Sequence, residues 1–209
     1  SDNYLYSQSF SAFKKFKLKS KLITRTSDYN NLLKIGYNIR DAINSFYTNN
    51  NQKNPTLNFE WEFILINDDT IKNAWCMPGG KIAFYSGMLS IAKNEDGIAS
   101  IMGHEVAHAV ARHSAERAST AMLADFGTMA LETFILGQKL PARKYIRQFG
   151  LNLPFNRSQE TEADYLGLIF MSLAGYDVEE SYKVWERMKE SNGNGPSEFF
   201  STHPSPDNR

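Results

Sequence analysis

The chain has 209 residues, 42% apolar and 22% charged, as expected of a globular domain long enough to bury a substantial core. Lys plus Arg and Asp plus Glu balance at 23 each, which argues against a nucleic-acid binder, and the one cysteine, Cys76, excludes an intramolecular disulfide. No run reaches the ~18 apolar residues of a membrane span; composition alone leaves the compartment open.

Residues 1–27 read as an arm preceding the main domain of 28–209. Phe10, Phe13, Phe16 and Leu18 alternate there with Lys14, Lys15, Lys17, Lys19 and Lys21. One reading is an amphipathic helix whose basic face touches anionic lipid. The other, preferred, is a solvated arm docked on the body by its aromatics. Leu32, Leu33, Ile35, Ile39, Ile43 and Phe46 then recur near helical spacing, predicting a helix over 28–48 capped by Asp28. An Asn-rich stretch ending at Pro55 closes it.

From Leu57 the period changes to two. Leu57, Phe59, Trp61, Phe63 and Leu65 predict a half-buried strand, Asn67-Asp68-Asp69 a turn, and Ile71 to Met77 a second strand. Pro78-Gly79-Gly80 predicts a tight connection into a third strand, Lys81 to Tyr85. The expectation is a small antiparallel sheet of local hairpins, with Asn73 to Met77 an exposed edge strand. Beyond Gly87 the pattern is helical, with helices expected near 88–93, 95–117, 119–137, 140–150, 157–174 and 178–191. The Gly193-Asn194-Gly195-Pro196 run breaks the last, and Phe199 to Arg209 reads as an irregular tail. The predicted class is α+β, mainly helical, with a small sheet beside the helix that carries the motif below.

That motif is His104-Glu105-Val106-Ala107-His108. Positions i and i+4 share a helical face, so both imidazoles can hold one zinc ion while Glu105 reaches a water bound to it. The alternative is a helix with two surface histidines and an unrelated glutamate, in a chain that has only 4 histidines. A hydrolytic zinc needs a third protein ligand and an open position. Glu160 and Asp164 are again i and i+4, so one carboxylate can ligate while the other orients an imidazole. Glu162 points roughly 200° away on the same helix. Read alone, this segment is an acidic solvated helix.

Together, His104–His108 and Glu160-Thr161-Glu162-Ala163-Asp164 with Gly167 resemble the gluzincin metallopeptidases related to HtpX, BepA, LoiP and the CAAX prenyl endopeptidase. Asn73-Ala74 through Pro78-Gly79-Gly80 to Gly87 resembles that family's edge strand and hairpin, and Ser201-Thr202-His203-Pro204 its downstream segment. The resemblance covers residues from about 57 onward, is closer to the soluble branch, and leads us to expect no appended repeat domain. It implies a zincin-like fold and one zinc per chain, held by His104, His108 and Glu160. It implies Glu105 as general base, Asp164 as the orienter of a ligand histidine, and Asn73 and Ala74 on the substrate-binding edge.

His203 stays open between three roles: fourth ligand, donor to the oxyanion, or tail histidine fixed by Pro204 and Pro206. Arg209 is a further oxyanion candidate. His113, five residues past His108, is expected to face away from the metal, and Cys76 to be a buried small hydrophobe. The function expected is a zinc-dependent endopeptidase acting on unfolded or extended polypeptides. Bacterial envelope quality control and a periplasmic location rest on the resemblance alone, and the cytoplasm is not excluded. The rival from another class is a zinc-dependent chaperone or assembly factor with little proteolysis. A protein with a purely structural zinc is a weaker rival, because it would leave Glu105 without work.

Overall fold

Four short runs of mostly apolar residues meet in one sheet. A computed structural model describes residues 2–120, 155–191 and 198–203. Among them, β1 (Leu22–Ile23), β2 (Glu62–Ile66), β3 (Ala74–Met77) and β4 (Lys81–Tyr85) form a sheet in the order β1-β2-β4-β3. The β3–β4 hairpin is antiparallel, as expected, with Met77 opposite Lys81 and the turn made by Gly79 and Gly80 at φ 87° and 80°. A side chain is strained in that backbone conformation.

The all-antiparallel expectation fails at β2, which pairs with β4 in parallel, Phe63 beside Ile82 and Leu65 beside Phe84. Asn67–Asp69 is therefore not a hairpin turn. Gly87 N–H donates to Asp68 O (3.2 Å), Ser86 Oγ donates to the Asp69 carboxylate, and a Cβ on Gly87 would lie 2.4 Å from Ile71 O. These contacts hold the connection against the start of the next helix. β3 then lies one strand further out, and β4 fills the gap.

β2 is also shorter than the alternation suggested. Leu57 to Trp61 precede the ladder because β4 begins at Lys81; Glu60 and Glu62 N–H bond instead to the carbonyls of Gly79 and Gly80, both at 3.0 Å. Phe63 to Ile66 are all buried, because the sheet is covered on both faces. Phe63, Leu65, Ala74, Cys76, Ile82 and Phe84 enter the main helical core. Ile64, Ile66, Trp75, Met77 and Ala83 meet Leu5, Ala12 and Phe13 of α1 (Asp2–Lys19). A sheet buried on both faces reads as continuous apolar runs. The arm is thus a helix docked by its aromatics, with Phe13 and Phe16 edge-on to Trp75. β1 continues it as an antiparallel strand on β2; at two residues, β1 gave no alternation to detect.

α2 (Ser27–Asn49) starts one residue earlier than expected, with Thr26 as the capping residue in place of Asp28, its hydroxyl accepting from Tyr29 N–H. α3 (Ser86–Ala92) leads to α4 (Glu95–Val110), which Asn94 caps through a 2.7 Å bond from Gly97 N–H. Every α4 residue from Gly97 to Val110 is buried, as for a central helix. The expected helix 95–117 is broken: Arg112 has φ 67°, and helix resumes as α5 over 113–120. α6 (Arg157–Leu173) and α7 (Glu179–Glu190) lie close to their expected bounds. The expected irregular tail begins instead with a short helix, α8 (Glu198–Thr202). The helices expected at 119–137 beyond residue 120 and at 140–150, the Gly193–Pro196 break, Pro204, Pro206 and Arg209 lie outside the described residues.

Candidate metal centre

Two close-packed helices bring the candidate ligands together. A Cβ on Gly167 of α6 would lie 2.9 Å from His104 N, and one on Gly103 of α4 would lie 2.8 Å from Gly167 O. The pair of glycines lets the two backbones touch. Upstream, Asn156 and Gln159 form a reciprocal capping box, which fixes where α6 starts and so which face Glu160 occupies.

One ligand atom from each of His104, His108, Glu160 and His203 lies within 4.8 Å of the other three, and all four residues are buried. His104 Nε2 and His108 Nε2 are 3.2 Å apart, and Glu160 Oε1 is 3.3 Å from His108 Nε2. His203 Nδ1 is 3.3 Å from His104 Nε2 and 2.8 Å from Glu160 Oε1. A tetrahedron of 2.0–2.1 Å zinc–nitrogen bonds has edges of about 3.3–3.4 Å. Three of these separations match those edges and all four atoms lie within 4.8 Å of one another, so the donor set has the chemistry of a divalent-metal site.

Each ligand ring is fixed from behind. His104 Nδ1 lies 2.9 Å from the Asp164 carboxylate, where the sequence placed an orienting acid. Phe155 stacks on His108 with centroids 3.7 Å apart and planes at 15°, and Phe199 stacks on His203 at 4.2 Å and 13°. Burial pulls the His104 imidazolium down, but Asp164 and Glu160 outweigh it and hold its pKa above the ordinary histidine value. Burial drives His108 the other way, well below that value, so it stays neutral.

Glu105 is 1% exposed, and its Oε1 is a buried atom without a hydrogen-bond partner among the described residues. Burial raises its pKa to about 8, against the opposing pull of His104 and Arg117. Arg117 is itself lowered to about 10 by burial, with Glu105 and Glu160 acting against that, and its guanidinium lies 3.7 Å from the Phe155 ring centre.

Sequence reasoning brought His104, Glu105, His108, Glu160 and Asp164 to one place, and the structure groups them there. His203, left open, sits inside the cluster, with its Nε2 3.4 Å from Glu105 Oε1. His113 is not among the four donors, yet it does not turn away from them: its Nδ1 lies 3.1 Å from His108 Nδ1, while Glu162 lies outside the cluster. Cys76 is a buried thiol that burial holds well above its ordinary pKa.

Asn73 and Ala74 do lie at the sheet edge beside α4, but the edge is not exposed as expected. Ala74 to Met77 are all buried, covered on both faces. Asn73 Oδ1 accepts from Ala74 N–H (2.9 Å), and Ser114 Oγ of α5 donates to Cys76 O (3.0 Å). Phe155, Phe199 and Arg117 were missed altogether. Phe155 was findable as the apolar residue before the Asn156 cap. The stacking of Phe199 on His203 follows from their i, i+4 spacing once the tail is read as helical.

Two histidines and a glutamate from two packed helices, beside a buried glutamate, make up the donor set of a metallopeptidase type of centre. The profile of peptidase family M48 matches residues 37–209, and the chain belongs to that family. It is 43% identical over 149 residues to the mitochondrial metalloendopeptidase OMA1 of Schizosaccharomyces pombe, covering 70% of this chain and 43% of that protein. To the Saccharomyces cerevisiae protein of the same name it is 41% identical over 152 residues, covering 69% and 44%. To the beta-barrel assembly-enhancing protease of Escherichia coli K12 it is 28% identical over 162 residues, covering 71% and 33%. The chain therefore spans under half the length of these relatives.

Proposed function

We propose that this chain is the catalytic domain of a zinc-dependent endopeptidase that cuts unfolded or extended polypeptides. The observation that carries the reading is the buried Glu105 carboxylate next to the four-donor cluster, its Oε1 making no hydrogen bond among the described residues and lying 3.4 Å from His203 Nε2. His104, His108 and Glu160 would hold the zinc, which supplies a Lewis acid and lowers the pKa of water towards ~7. Glu105 takes the proton of the attacking water and passes it to the leaving amine. Asp164 keeps the His104 ring turned to present Nε2. Strand addition at β3 would require the Asn73 Oδ1–Ala74 N–H and Ser114 Oγ–Cys76 O contacts to open, and only an extended chain could replace them.

His203 supports a latent resting form. Its Nδ1 occupies the fourth corner of the cluster, and its Nε2 faces the carboxylate that would act as base. This contact also favours the rival reading, a holdase that rarely cuts. The compartment proposed is mitochondrial, on the names of the more similar relatives; a bacterial envelope, and quality control there, has the weaker support of the 28% relative.

Cleavage of a denatured protein and of its native form by the wild type, Glu105→Gln and His203→Ala tests the reading. The denatured form should be cut faster, Glu105→Gln should lose about 10²–10⁴-fold, and His203→Ala should gain activity. Equal activity of Glu105→Gln and wild type would refute the peptidase reading. A loss of ~10²–10³-fold in His203→Ala would make His203 an oxyanion donor rather than a plug.

A further inference from the structure

His113 stands behind the metal centre, and the mechanism above gives it no role. Its Nδ1 lies 3.1 Å from His108 Nδ1, and its Nε2 lies 3.2 Å from Glu162 Oε2. On a continuous helix, five residues would carry His113 about 140° around from His108. The break at Arg112, with its left-handed φ of 67°, turns the chain so that the two rings meet. A strained residue and a buried polar contact therefore occur together.

Hydrogen positions follow from the heavy atoms. His108 Nε2 faces His104 Nε2 and Glu160, so it must present a lone pair if the centre binds a metal. In a neutral ring the hydrogen then sits on Nδ1. Two ring nitrogens 3.1 Å apart share one hydrogen, so His113 Nδ1 is the acceptor. The hydrogen of His113 is left on Nε2, directed at the Glu162 carboxylate. His113 is 3% exposed, and the opposite constraint on His108 is the stacked face of Phe155.

We infer that His113, oriented by Glu162, is a positioning residue that locks His108 in the Nδ1–H tautomer and so aims its Nε2 at the metal. The inference rests on the metal-centre reading above. It gives His108 an imidazole–carboxylate relay where His104 has the Asp164 carboxylate directly. It also gives Glu162, which helical periodicity turns away from the ligand face, a part in the site.

The test is zinc affinity, measured by competition with a chromogenic chelator, for wild type, His113→Leu, His113→Asn and Glu162→Ala. The Asn carbonyl oxygen stands as many bonds from Cβ as Nδ1 does and can accept the same hydrogen; Leu cannot. His113→Leu should weaken zinc binding by about 10–100-fold, the usual effect of losing such an outer partner. His113→Asn should recover most of that loss. Glu162→Ala should weaken binding in the wild type and add nothing in His113→Asn, where Nε2 is gone. Melting of the metal-free variants shows that each is folded. In the metal-free wild type, long-range ¹⁵N spectra should show His108 protonated at Nδ1, and in His113→Leu a mixture of tautomers.

Zinc affinity of folded His113→Leu within about twofold of wild type would overturn the inference. So would equal losses in the Leu and Asn variants with the His108 tautomer unchanged, because packing alone would then explain His113. Should wild type bind no zinc, the metal-centre reading fails first. The tautomer then still decides the inference, and His108 protonated at Nε2 would sink it.

Discussion

At the scale of single residues, function competes with stability at Glu105. Its carboxyl has an ordinary pKa of 4.5, raised to about 8 in the folded chain by burial. Between those values the metal-free folded state keeps a proton that the unfolded state has released. Its contribution is fully present below 4.5 and is lost as pH rises through 8. Glu105→Gln has no charge to bury. Without metal, it should melt higher than the wild type by a margin that grows from about pH 5 to about pH 8; a margin independent of pH would contradict this account. The site was legible at this scale because ligand chemistry leaves spacing signatures: His104 and His108 at i, i+4, then Glu160 and Asp164 at i, i+4. The aromatic rings that clamp the ligands left none, since Phe155 and Phe199 look like any core phenylalanine.

At the scale of elements, the close packing of α4 and α6 sets the geometry of the candidate metal centre, and it depends on Gly103 and Gly167. A methyl at Gly167 would stand 2.9 Å from His104 N and 3.0 Å from Gly103 C, both backbone atoms that cannot swing aside. Gly167→Ala should therefore cost about 1–3 kcal/mol in denaturant unfolding. It should also weaken zinc binding, because it pushes Glu160 away from the two histidines. Unfolding and zinc affinity both equal to wild type would show that the helices tolerate separation. The helices were mostly legible from their apolar periodicity and caps, as with α6 and α7. The sheet was less so. Parallel pairing of β2 with β4 depends on the 67–73 connection lying against α3, a long-range contact with no local pattern. The break at Arg112 was likewise hidden, since Ala111-Arg112 contains neither Gly nor Pro.

For the whole molecule, charge is balanced but unevenly placed. No acid stands between Asp2 and Asp28, while Lys14, Lys15, Lys19, Lys21 and Arg25 are exposed there beside Leu18, itself 78% exposed. The inner face of α1 is spent on the sheet, so any membrane contact would be made by this outer basic face. We propose peripheral binding to anionic lipid. Sedimentation with phosphatidylserine vesicles should exceed that with phosphatidylcholine vesicles and fall with salt; equal binding to both would reject it. The proposed chemistry requires a zinc ion held by His104, His108 and Glu160. Zinc counted per chain in purified protein, with the metal identified by anomalous scattering in crystals, tests it most directly. The account predicts one zinc per wild-type chain, bonded to those three side chains, and zinc lost or strongly weakened in Glu160→Ala and His108→Ala. Undiminished zinc in either folded variant, or a metal located elsewhere, would contradict it.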